Sequence, residues 1–182
     1  MERGYRNLGY LLLALVPIFV AGFWVPYISE FPRFDSAITT AVHIHAALLF
    51  SFLGLLVFQP LALRYRAISL HRILGKTTTI LMPFILFFSG AMLWKEYLEH
   101  ISSGAPAAVA RADEFLSAAQ LVFLGIFYWL ALSCIRKRNV AGHMRYMICI
   151  VLVLLPAGLA RTLGYWCNFR QSSSQTVCFA VI

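Results

Sequence analysis

Residues 37–63 read AITTAVHIHAALLFSFLGLLVFQPLAL, without one Asp, Glu, Lys or Arg. A helix rises about 1.5 Å per residue, so about 20 apolar residues cross the hydrocarbon core of a bilayer. The run is continuous and does not alternate, which excludes a strand of an outer-membrane barrel. In lipid the backbone groups must pair within the segment, so the run becomes a helix. Four more stretches have the same character: 8–28, 77–94, 115–135 and 147–166, of which only the last holds a charge, Arg161. The expected fold is an all-α polytopic membrane helix bundle of five transmembrane helices in a single domain. Helices two to five form the core. The first, with no histidine, amide or charge to contribute, is expected at the periphery.

Composition agrees with that reading. Of 182 residues, 61% are apolar and 12% charged, against about 45–50% and about 25% in soluble domains, and the mean hydropathy is +0.79. Most of a small domain's surface faces water, so a soluble chain of this size could not hide so much apolar area. A soluble globular enzyme, a disordered chain and a disulfide-built secreted domain are excluded. The net charge of +8 does not indicate nucleic acid, because the basic residues lie between apolar runs.

Those residues instead orient the chain. Arg3 and Arg6 precede the first run, Arg64, Arg66, Arg72 and Lys76 follow the second, and Arg136, Lys137, Arg138 and Arg145 follow the fourth. Six of the seven acids fall on the opposite side: Glu30, Asp35, Glu96, Glu99, Asp113 and Glu114. The positive-inside bias then predicts a multi-pass protein of the inner (plasma) membrane, with a cytoplasmic N-terminus and an outer C-terminus. The first run is too long for a signal-peptide core and is expected to stay uncleaved. Trp24, Tyr27, Trp94, Tyr97, Tyr165 and Trp166 gather near the outer boundary as an aromatic belt. Residues 99–114 contain Ser102-Ser103-Gly104-Ala105-Pro106 and read as a flexible outer loop, with His100 in water. No internal repeat stands out. The tail 168–182 ends in an apolar run, either a segment cut short or a short tail. Cys134 and Cys149 are expected to pack as small apolar residues. Cys167 and Cys178 fall on the outer side, where a disulfide is permitted.

Polar residues at membrane depth are costly and therefore informative. His43 and His45 are two apart, about 200° around a helix, and cannot share a face. His45 and Gln59 do share one, about 21 Å apart. His143 and Arg161, five turns apart, also share a face, about 27 Å apart. Setting the helices side by side predicts two polar levels. The inner holds Gln59, His71 and His143; the outer holds His45 or His43, Gln120 and Arg161. Two imidazoles on neighbouring helices can hold one haem b through its axial positions, and His71 with His143 is the best pair. The alternative for both is an interfacial histidine among cations with no ligand role. No acid lies in any apolar run, so the partner expected for Arg161 is a ligand, a headgroup, water, or a boundary acid such as Asp35 or Glu114. No phosphate-binding, dinucleotide, serine-hydrolase or zinc-protease motif is present. Apart from a haem iron, no metal site is expected.

From the second run onward the chain resembles a bacterial multi-pass family known as domain of unknown function 2306. The resemblance is carried by His43-Ile44-His45-Ala46, by Gln59 followed by Arg64, and by Leu70-His71-Arg72-Ile73-Leu74-Gly75. Gly142-His143-Met144-Arg145-Tyr146-Met147, with Arg161 further along, completes it. It covers about residues 37–166 and implies a multi-pass helical fold with no established activity. Members continue into a further helix, which this chain lacks or only begins. A weaker likeness is to transmembrane b-type cytochromes with four core helices. His71 and His143 fit one of their histidine pairs, while the second pair lacks its fourth-helix member.

Three functions follow as expectations. The first is a haem-b electron-transfer protein, which makes any enzymatic role that of a membrane oxidoreductase component working with a redox partner. The second is a small carrier or ligand-binding protein in which His43, His45, Gln120 and Arg161 hold an anionic or quinone-like head. The third is a structural subunit whose polar residues only lock helices together.

Overall fold

The computed structural model describes residues 7–31, 39–103 and 107–167, and the regular elements among them are all helical. They are α1 (Leu8–Trp24), a single 3-10 turn (Ile28–Glu30), α2 (Thr40–Arg64), α3 (Ile68–Ser103), α4 (Ala107–Arg136) and α5 (Val140–Trp166). The last four are long and apolar enough to cross a membrane, and the chain is an integral membrane protein. α1 is shorter than the 8–28 run: its 17 residues rise about 26 Å. It stops at Trp24 because Val25 caps it and Pro26, with no N–H to donate, cannot extend it.

α2 matches its apolar stretch to within three residues, whereas α3, α4 and α5 outrun the stretches that announce them. α3 begins nine residues before Thr77 and ends nine after Trp94. Hydropathy marks the part of a helix that meets lipid, whereas backbone hydrogen bonding continues into the polar boundary. The outer loop expected over 99–114 is therefore mostly helix, split between the end of α3 and the start of α4. His100 is correspondingly not in water. It is buried, and its Nδ1 lies 2.8 Å from the Glu114 carboxylate, tying the tips of α3 and α4. The tail, with Cys178 and the expected disulfide, lies outside the described residues, as does Asp35.

Each helix packs on its neighbours in sequence, and α1 closes the ring by packing on both α2 and α5. α1 is thus an integral wall and not the peripheral helix expected. Lipid offers helices no hydrophobic reason to associate, so small residues and interhelical hydrogen bonds hold the seam. Thr162 Oγ1 donates to the Ile18 carbonyl at 2.8 Å, and Trp166 Nε1 donates to the Ala21 carbonyl at 2.9 Å. Gly22 and Gly158 let the two backbones touch. At the other end of α1, Arg64 Nη1 donates to Asn7 Oδ1 at 2.8 Å.

The two connections α2–α3 and α4–α5 repeat one another with an offset of 72 residues. Arg66 and Arg138 both have positive φ, 60° and 57°. Around each, the same pair of backbone bonds closes the preceding helix: Arg66 N–H to Leu63 O and Ala67 N–H to Ala62 O, then Arg138 N–H to Ile135 O and Asn139 N–H to Cys134 O. This is a Schellman ending with arginine where glycine is usual. Five residues beyond each arginine comes a histidine, His71 and His143. Each ring Nδ1 donates back to a carbonyl twelve residues earlier, Gln59 O at 3.3 Å and Ala131 O at 3.1 Å. The sequence counterpart is Arg-x-Arg-x4-His, at Arg64-Tyr65-Arg66 and Arg136-Lys137-Arg138, with Trp94 and Trp166 in the same register. The chain therefore contains an internal repeat, contrary to the reading of its sequence. Both hairpins run in the same direction, the relation of parallel repeats.

The centre of the ring is filled by Phe52, Leu56, Ile85, Leu124, Tyr128 and Ile150. Tyr128 carries its hydroxyl into this apolar layer and donates to Thr78 Oγ1 at 3.1 Å, so the buried polar group is satisfied.

Candidate functional site: two cavities on one axis

On α2, Phe52 lies seven residues from His45 and seven from Gln59 and is fully buried. The packed layer around it leaves one cavity on the His45 side and another on the Gln59 side.

The outer cavity has a volume of about 240 Å³ and draws on all five helices. Its wall is largely apolar, with Phe19 and Phe23 from α1 and Leu49 and Leu53 from α2. Into it come His45 from α2, Gln120 from α4 and Arg161 from α5, so of the alternatives His45 or His43 the structure places His45 at this level. His45 is oriented by Ser89, whose Oγ lies 3.4 Å from its Nδ1. Arg161 is half-buried. Its Nη1 donates to the Ala157 carbonyl one turn back at 3.1 Å, and its guanidinium carbon sits 4.9 Å from the Phe23 ring centre, a cation–π geometry. His43 does not join them. It stands behind the lining, its Nδ1 2.8 Å from the hydroxyl of Tyr27, which does line the cavity. Partial burial pushes the Tyr27 phenol above the usual tyrosine range.

One charged residue of this cavity, Glu96 of α3, was expected only as an acid on the outer side. Its position just beyond an apolar stretch made it look like a boundary acid. The available signal was spacing, since Ser89 and Glu96 are seven apart and share a face of α3. Its presence changes the electrostatics. A carboxylate and a guanidinium lining the same cavity offer hydrogen-bond donors and acceptors together, not a purely cationic trap.

The inner cavity is small, about 60 Å³, and is lined by Gln59, His71 and His143 together with Met144 and Met147 and apolar residues of α1, α2 and α5. Because a carbonyl can only accept, both histidines carry a proton on Nδ1, so the neutral form of each ring keeps its lone pair on Nε2. Gln59 is buried, and its Nε2 has no hydrogen-bond partner among the described residues. The imidazoles suit axial ligation chemically, since ligating histidines commonly donate the other ring N–H to a carbonyl. The space does not suit the macrocycle: about 60 Å³ corresponds to roughly two waters, and a porphyrin does not enter it in this packing. Among the described residues no three His, Cys, Asp or Glu side chains gather as a metal site. Cys134 and Cys149 are half-buried free thiols.

Comparison with protein-family models, with curated proteins and with solved structures gives no match. The functional argument accordingly rests on geometry.

Proposed function

We propose that this protein binds a lipid-soluble molecule with a compact, neutral, oxygen-bearing head of the quinone type in its outer cavity. The observation that carries the reading is the meeting of His45, Gln120, Arg161 and Glu96, from four different helices, in one apolar-walled space. Small-molecule sites combine such walls with a few convergent polar groups, though at about 300–1,000 Å³ they are usually somewhat larger. Arg161 and Gln120 supply donors to carbonyl oxygens, and Glu96 supplies an acceptor for a hydroxyl. A fully anionic head is less well served, because it would meet the Glu96 carboxylate. Haem-dependent electron transfer is not carried forward, since the space between His71 and His143 is too small for the porphyrin.

Isothermal titration of the detergent-solubilised chain tests this, with a short-chain benzoquinone and, separately, an alkyl carboxylate. The benzoquinone should bind, and Arg161→Ala should weaken it about tenfold, the worth of one hydrogen bond to a charged donor. Absence of quinone binding, or binding indifferent to Arg161→Ala, would sink the reading. Preference for the carboxylate would replace the neutral head with an anionic one.

A further inference from the structure

We propose that the inner cavity is a copper(I) site, with His71 and His143 supplying Nε2 and Met144 and Met147 supplying thioether sulfur. Size comes first. About 60 Å³ accommodates a bare ion and one water but no organic cofactor. Donor chemistry comes second. The hydrogen bonds from Nδ1 to Gln59 O and Ala131 O fix both rings in the tautomer that presents Nε2 to a metal, the outer-shell arrangement common to ligating histidines. His143 and Met147 are one turn apart on a single face of α5, and His71 arrives from the other hairpin, so the ligands come from both halves of the repeat.

Charge selects the ion. The lining contains no carboxylate or thiolate, so a divalent cation would sit at membrane depth without neutralisation, which is expensive. Neutral imidazole and thioether donors suit a soft, monovalent ion, and copper(I) is the one they favour. The Gln59 amide gives an independent indication. A buried donor with no partner is rare and calls for a missing neighbour. A water held beside the ion accepts that hydrogen bond.

The test is competition for copper(I) between the purified full chain and a coloured chelator such as bicinchoninate, kept reduced with ascorbate, together with X-ray absorption at the copper edge. The expected result is one copper per chain with mixed nitrogen and sulfur ligation. His71→Ala and His143→Ala should each lower the affinity by roughly 10–100-fold or more, the scale on which even outer-shell partners act. Met147→Leu, a swap that conserves volume and packing, should lower the sulfur contribution to the absorption spectrum, and Met144→Leu added to it should remove that contribution, while the chain stays folded. The proposal is overturned if the folded chain retains no copper, or if the bound copper is unchanged in His143→Ala and Met147→Leu. It is also overturned if haem added to the chain gives a Soret band that depends on both histidines. Benzoquinone titration of the same preparations reads the outer cavity separately, so either idea can fail alone.

Discussion

A glycine matters here according to what faces its missing side chain. A Cβ on Gly22 would stand 2.5 Å from the carbonyl oxygen of Gly158, and one on Gly158 would stand 2.9 Å from the ring of Phe19. Two backbones meet at Gly22, so nothing flexible can give way. Gly22→Ala should force α1 from α5 and lower stability by about 1–3 kcal/mol, the usual result of overpacking. Gly75 is the contrasting case: nothing lies within 4 Å of the place its Cβ would occupy. Gly75→Ala should be neutral or add up to about 1 kcal/mol through helix propensity. Thermal unfolding of the two variants in the same detergent checks both signs.

At the level of elements, the turns at Arg66 and Arg138 place an L-residue in the left-handed region, which costs about 1–2 kcal/mol. Arg66→Gly and Arg138→Gly should each stabilise the chain by about 1 kcal/mol, measured by the same unfolding experiment. An unchanged midpoint in both would show that the arginine side chains offset the strain with contacts of their own. The helices themselves were legible because an uncharged run such as 37–63 admits few other folds. Their ends were not, since Glu99 and His100 look like loop residues until His100 is seen paired with Glu114 across two helices. Spacing along α2 and α5 correctly separated Gln59 from His45 and His143 from Arg161, because helical pitch is independent of tertiary context. Glu96 and the methionines escaped, one as an apparent boundary charge, the others as ordinary apolar filling. The repeat escaped for a different reason: few identities survive between its halves, and the backbone bonds it preserves are invisible in side-chain identities.

For the molecule as a whole, the two repeated turns emerge at one end and the 3-10 turn at the other. With the native cysteines removed, Ser69→Cys and Val140→Cys should share one reactivity toward a membrane-impermeant maleimide, and Ser29→Cys should show the opposite. The clustering of Arg64, Arg66, Arg136 and Arg138 at the repeated turns sets the direction expected from the positive-inside bias: in intact cells stripped of any outer wall, only Ser29→Cys is labelled. Labelling of Ser69→Cys under those conditions would invert the orientation. Labelling of Ser69→Cys without Val140→Cys would break the common end altogether.

Two hairpins of equal polarity are related by a rotation about the bilayer normal, and such a rotation never interchanges the faces of a membrane. Many transporters owe their alternation to halves of opposite polarity, each able to adopt the other's shape and so to turn the doorway around. Here an exchange of shapes between halves would return the doorway to the side it started from. Access from both sides would therefore have to come from rocking one half against the other, the route open to parallel repeats.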